Sequence, residues 1–119
     1  MLDAYSGTQT VHLILGVTDM RKSIDGLCAL VKYYLDEEPV SEQLFVFCNR
    51  SRDKVKILQW AHNGFWLHYK RLEKGRFRWP EPEDEQVTQI VGRRELNWLL
   101  EGLPLRQPDA HKQLKYIYF

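Results

Sequence analysis

Between Lys54 and Trp79 the chain alternates apolar and polar side chains and is cut twice by turn-forming residues. No other stretch restricts the possible folds so tightly. Successive side chains of a strand point to opposite faces, so a period of two marks a sheet with unlike sides. His62-Asn63-Gly64 makes the first cut. Asn-Gly is a strong hairpin signal, because both central residues of a type I′ turn need positive φ. Glu73-Lys74-Gly75 makes the second. Three antiparallel strands are predicted, Lys54 to Trp60, Phe65 to Leu72 and Arg76 to Trp79, joined as a meander.

Alternation assigns Val55, Ile57, Phe65, Leu67, Tyr69, Phe77 and Trp79 to a core face, with Arg71 the misfit near a strand end. The opposite face then collects Lys54, Lys56, Trp60, Trp66, His68, Lys70, Arg76 and Arg78. Like charges opposed across strands destabilise a sheet by about 0.2–1 kcal/mol each, so something should compensate them. A polyanion is one candidate. Lys and Arg neutralise phosphates and release counterions, Arg grips phosphate with two parallel bonds, and exposed Trp stacks on bases. Arg50 and Arg52, in the adjoining loop, would extend the stripe, and Arg71 and Lys74 are counted among the candidate nucleic-acid-binding residues. The alternative is that these cations form only the solvated side of a two-faced sheet.

Charge is distributed to match. Residues 50–80 hold nine basic and two acidic residues, whereas 1–49 hold three and seven and 81–119 hold five and seven. A total of +1 conceals this, and its placement says more about partners than the sum does.

Upstream, Val11 to Leu15 reads as a short strand stopped by Gly16. Thr18 is a plausible N-cap for a helix running to about Leu35, with Met20, Ile24, Leu27, Cys28, Val31, Tyr34 and Leu35 on one face. Gly26 inside it should cost about 1 kcal/mol relative to Ala unless another backbone packs there. Leu44 to Cys48 reads as a buried strand, and residues 80–85 as an acidic, Pro-containing connector. A second helix is predicted over Arg93 to Glu101, with Leu96, Leu99, Leu100 and Leu103 inward and Gly102 and Pro104 ending it.

The expected architecture is α+β: a curved antiparallel β-meander with one long N-terminal helix across a face and a second short helix near the C-terminus. Residues 1–105 form one domain and 106–119 a tail, in which Lys115 to Phe119 could add a strand or mediate self-association. Two cysteines, Cys28 and Cys48, exclude a disulfide scaffold or cysteine zinc cluster. With no secretory pattern in residues 1–10 and no span-length apolar run, a cytoplasmic protein without membrane contact is expected. Asp19, Asp25 and Glu73 could be assembled into a metal-dependent nuclease site, but Asp19 fits a helix start and Asp25 an ion pair with Arg21. The four histidines lack metal-ligand spacing and the glycines are isolated, so neither a zinc site nor a phosphate loop is expected.

Three blocks carry a family resemblance. They are Gly16-Val17-Thr18-Asp19-Met20-Arg21-Lys22 with Asp25-Gly26-Leu27; Leu44 to Phe47 followed by Lys54 to Leu58 with Trp60; and Lys70-Arg71-Leu72-Glu73-Lys74-Gly75-Arg76-Phe77, closed by Trp79-Pro80. Over residues 10–103 the chain resembles the TnpB-type accessory protein, the second open reading frame product, of the bacterial insertion sequence 66 family. Ser23 and Ala61 depart from its pattern. The resemblance implies a transposition factor encoded beside a separate, catalytic transposase, with no active site or cofactor to carry over. The expected function is therefore non-enzymatic: DNA binding, at transposon ends, through the basic, Trp-containing face. The alternative is a module that binds the transposase without touching DNA, using Trp60 and Trp66 as anchors.

Overall fold

The computed structural model describes residues 9–105. Its centre is a strand with no wet side. Leu44–Cys48 (β2) is buried at all five positions, as the unbroken apolar run Leu-Phe-Val-Phe-Cys requires. The other elements are Val11–Ile14 (β1), Ile24–Tyr33 (α1), Lys54–Ala61 (β3), Gly64–Arg71 (β4), Thr88–Val91 (β5) and Arg93–Leu100 (α2). They form one five-stranded sheet in the order β4-β3-β2-β1-β5. The β1–β2 pair is parallel and the other pairs are antiparallel.

The expected α+β class stands, but the antiparallel meander under one long N-terminal helix does not. The sheet is mixed, because the chain leaves β1, passes through α1 and returns alongside it, a crossover that only a parallel pair needs. Both helices are short. Helix α1 begins at Ile24, with Ser23 rather than Thr18 at the N-cap. Tertiary contacts hold the preceding turn out of helical form. The Thr18 amide donates to the Cys48 carbonyl at 2.9 Å. The carbonyls of Met20 and Lys22, which a longer helix would use internally, accept from Lys56 Nζ at 2.7 and 2.9 Å. Nor does a foreign backbone approach Gly26, where an added Cβ would meet only the Lys22 side chain, at 3.3 Å.

Strand register divides the core in two. In β3–β4, Lys54 opposes Arg71, Lys56 opposes Tyr69, Leu58 opposes Leu67 and Trp60 opposes Phe65. Directly opposed residues share a face. This face therefore carries Phe45, Phe47, Leu58, Phe65 and Leu67, packed with Leu27 and Val31 of α1. Val55 opposes Lys70, Ile57 opposes His68 and Gln59 opposes Trp66. That second face carries Val11, Leu13, Leu44, Val46, Val55 and Ile57 under Phe77, Trp79 and the α2 leucines Leu96 and Leu99. The division into one greasy and one cationic side is thus corrected. Each side holds apolar and cationic positions, and Trp60 and Trp66 point to opposite sides.

Arg76 to Trp79 pairs in no sheet, and the Trp79 amide bends back to the Phe77 carbonyl at 2.9 Å; β5, which the sequence did not suggest, closes the far edge instead. Alternation in the 76–79 segment still holds: Phe77 and Trp79 are buried while Arg76 and Arg78 are exposed. The indole Nε1 of Trp79 donates to the Ile14 carbonyl at 3.0 Å inside the core. Helix α2 matches expectation closely. Its Gly92 amide is capped by Glu95 Oε1 at 2.8 Å, and Gly102 ends it at φ +84°. Leu103, expected inward, is exposed. Lys115 to Phe119 lies outside the described residues.

Trp79 ties the 72–80 segment to β1, so Trp79→Phe should cost about 1–3 kcal/mol by leaving a buried carbonyl without its donor. Chemical denaturation should show a lower midpoint at an unchanged slope.

Candidate nucleic-acid interface

The loop 49–53 organises one end of the sheet. Asn49 Oδ1 accepts from the Asp53 and Lys54 amides at 3.1 and 3.0 Å, and Asn49 Nδ2 donates to Asp53 Oδ1 at 2.7 Å. That last bond is the main reason why the Asp53 carboxyl sits below its ordinary pKa. Arg52, at φ +61°, turns inward and donates to the Gly16 carbonyl at 3.0 Å. The Arg52 and Asp53 carbonyls in turn accept from the Phe77 and Leu72 amides at 2.7 and 2.8 Å. The loop and the 72–77 segment are thereby stitched side by side. Arg50, Lys74, Arg76 and Arg78 project from them, exposed. An open groove of about 760 Å³ runs between Lys74, Arg76 and Arg78 on one wall and Glu101 and Gly102 on the other.

The sheet cations have other occupations. Lys56 holds the Met20 and Lys22 carbonyls and lies 5.7 Å from the Tyr69 ring centroid. Lys70 Nζ donates to the Leu100 carbonyl at 2.6 Å, capping the C-terminus of α2, where a cation complements the helix dipole. Lys54 and Arg71 oppose each other as like charges. Asp53, at 3.4 Å from Lys54, and Glu73, at 2.9 Å from Arg71, offset them. The compensation expected from a polyanion is thus met inside the chain at these four positions. Arg50, Lys74, Arg76 and Arg78 have no such partner among the described residues.

The aromatic residues do not form one platform. Trp60 is half-buried and packs edge-on against Phe65, centroids 5.0 Å apart. Trp66 is 46% exposed on the other side and stacks on His68 at 6.1 Å. His68 Nε2 is 2.8 Å from Gln59 Oε1, and burial lowers the pKa of its ring.

The Thr18–Lys22 block is a structural turn. Thr18 is buried. Asp19 accepts from the Arg21 amide at 2.9 Å and, through both carboxylate oxygens, from its guanidinium at 2.7–3.1 Å. Those Arg21 hydrogen bonds hold the Asp19 carboxyl far below the ordinary carboxylate range. The expected Asp25–Arg21 pair is replaced by this shorter-range one. With Asp19 held by Arg21 and Glu73 by Arg71, the trio Asp19, Asp25 and Glu73 forms no metal centre. Among the described residues no three metal-ligating side chains cluster. Burial raises both thiols, Cys28 and Cys48, above their ordinary pKa, which suits core packing rather than nucleophilic chemistry. No helix among the described residues is long and apolar enough to cross a membrane.

Sequence reasoning missed the inward roles of Lys56 and Lys70. Their acceptors are backbone carbonyls 34 or more residues upstream and 30 downstream, and nothing in side-chain type marks them. Lys56→Met should therefore act on stability, lowering it by about 1–3 kcal/mol in denaturant melts through loss of two charge-assisted bonds. Asp19 makes the opposite kind of prediction, one of pH. Its folded pKa is depressed, so the turn's stabilisation is complete above about pH 4 and fades only as pH falls through the depressed value. The Asp19 carboxyl carbon, followed by NMR, should not titrate near pH 4, and Arg21→Ala should restore a midpoint there.

The family described as IS66 Orf2 like protein (TnpB_IS66) matches residues 9–110. Two relatives from Sinorhizobium fredii (strain NBRC 101917 / NGR234) are similar. Uncharacterized protein y4hO is 35% identical over 99 residues, 83% of this chain and 84% of the relative. Uncharacterized protein y4jC is 35% identical over 66 residues, 56% of each chain. No solved structure matches.

Proposed function

The chain belongs to the IS66 Orf2-like family, and from that premise we propose that it is a cytoplasmic, non-enzymatic accessory factor of transposition that grips DNA phosphates through Arg50, Lys74, Arg76 and Arg78. The observation that carries this reading is the contrast among the cations. Lys54, Lys56, Lys70 and Arg71 are engaged within the fold, whereas these four converge on one end of the sheet, exposed and without partners among the described residues.

Geometry supports phosphate contact along the cationic wall only. Across the groove stand Glu101 and the C-terminal end of α2, both unfavourable to an anion. A DNA backbone would follow the Arg76–Arg78 ribbon, whose buried Phe77 and Trp79 keep the two guanidiniums facing outward. Such contacts position without reading sequence. A transposase-binding role anchored jointly by Trp60 and Trp66 gains no support, since the two indoles face opposite sides of the sheet.

Affinity for duplex DNA should fall steeply with salt, each neutralised phosphate contributing about 0.9 to the slope of log K against log salt. Replacing Arg50, Lys74, Arg76 and Arg78 together by Ala should flatten that slope by about 3.6, while Lys56→Met leaves it unchanged. A wild-type affinity insensitive to salt, or a slope that the fourfold change does not move, contradicts the reading.

A further inference from the structure

Strand β4 is an edge strand, and no other strand meets its outer side among the described residues. It lies at one end of the sheet order, and its eight residues pair with β3 without a bulge. Residues of an antiparallel strand alternate between directing both backbone groups to the neighbour and both away from it. The hairpin closes on the Ala61–Gly64 pair, and the Leu72 amide continues the ladder to the Asp53 carbonyl at 2.8 Å. Even-numbered positions therefore bond to β3, and Phe65, Leu67, Tyr69 and Arg71 direct their amides and carbonyls outward. No backbone partner meets those groups among the described residues.

Exposed edges of this length are normally blunted by proline, a bulge, scattered charge or a covering segment. This one has neither proline nor bulge. Its two full charges, Lys70 and Arg71, sit together at one end, and Trp66 and Tyr69 are 46% and 53% exposed along it. From that pattern we infer that β4 pairs antiparallel with β4 of a second copy of this chain, joining two sheets about a two-fold axis.

The strand is self-complementary, which favours a second copy over another partner. A two-fold axis perpendicular to the sheet keeps faces matched, so even positions oppose even and odd oppose odd. Pairing centred on Leu67 sets Phe65 against the partner's Tyr69 and Trp66 against the partner's His68. Pairing centred on His68 sets Lys70 against the partner's Trp66, a cation on an indole. Either register carries each Lys70–Arg71 pair to the far end from its counterpart. Parallel pairing in register would stack the four cations together, which cross-strand repulsion opposes. A closed isologous contact follows, using both edges once. It is independent of DNA contact.

The test is solution mass by light scattering from low to high micromolar full-length protein, joined to residue-resolved amide exchange. The proposal expects a monomer-to-dimer transition. The amides of Phe65, Leu67, Tyr69 and Arg71 should slow in step with it, while those of Trp66, His68 and Lys70 stay protected throughout. Tyr69→Pro removes an outward amide that β3 does not use, and should give a folded monomer by circular dichroism. If that variant does not fold, Trp66→Lys, at an exposed seam position, should weaken association at least tenfold. A monomer at every concentration overturns the proposal. So does a dimer in which the four outward amides exchange freely, or a monomer in which they are already protected by the chain's own remaining residues.

Discussion

Burial of β2 on both faces is the constraint from which the rest follows. A strand with no polar position cannot sit in a sheet that is wet on one side. Phe45 and Phe47 need cover from one direction, and Leu44, Val46 and Cys48 from the other. Helix α1 supplies the first layer. Helix α2 and the Phe77–Trp79 ribbon supply the second. Once both faces are occupied, no broad cationic face remains open among the described residues. Charge is driven to the end of the sheet and to its β4 edge.

That displacement separates two populations of cations that composition cannot distinguish. Lys56 and Lys70 are long enough to reach carbonyls that short helices leave unsatisfied, so their stems cover apolar surface while their heads act as donors inside the fold. Arg76 and Arg78 alternate with the buried Phe77 and Trp79, and are pinned outward by that burial. Two of the blocks that carry the family resemblance meet where Lys56 binds the Gly16–Lys22 turn, and the 49–53 loop between blocks joins that turn through Arg52 and the 72–77 segment through its backbone.

Much of this was legible in the sequence. The apolar run of β2, the alternation of β3 and β4 and the Leu spacing of α2 located those elements within a residue or so. The facial assignment failed for a countable reason. A two-residue connection between Ala61 and Gly64 makes odd positions of β3 share a side with even positions of β4, so Val55 and Ile57 oppose Lys70 and His68 rather than neighbouring the Phe65–Leu67–Tyr69 set. Loop length alone carried that information. The late start of α1 was not legible, since it depends on Lys56 capturing carbonyls from 34 residues away. Nor was β5, four residues following an acidic connector, whose strand state comes from its pairing with β1. Within the candidate interface, the outward placing of Arg76 and Arg78 was readable from alternation, whereas the inward turn of Arg52 was not.

The central claim is that cations at the end of the sheet meet DNA while those on its faces serve the fold. Titrating duplex DNA into isotope-labelled protein and following backbone amides by NMR tests it most directly. Shifts concentrated at residues 49–53 and 72–80, with α1 and the interior of β3 unmoved, are the predicted result. Shifts centred on α1 or on Trp60, or none at all, would contradict it.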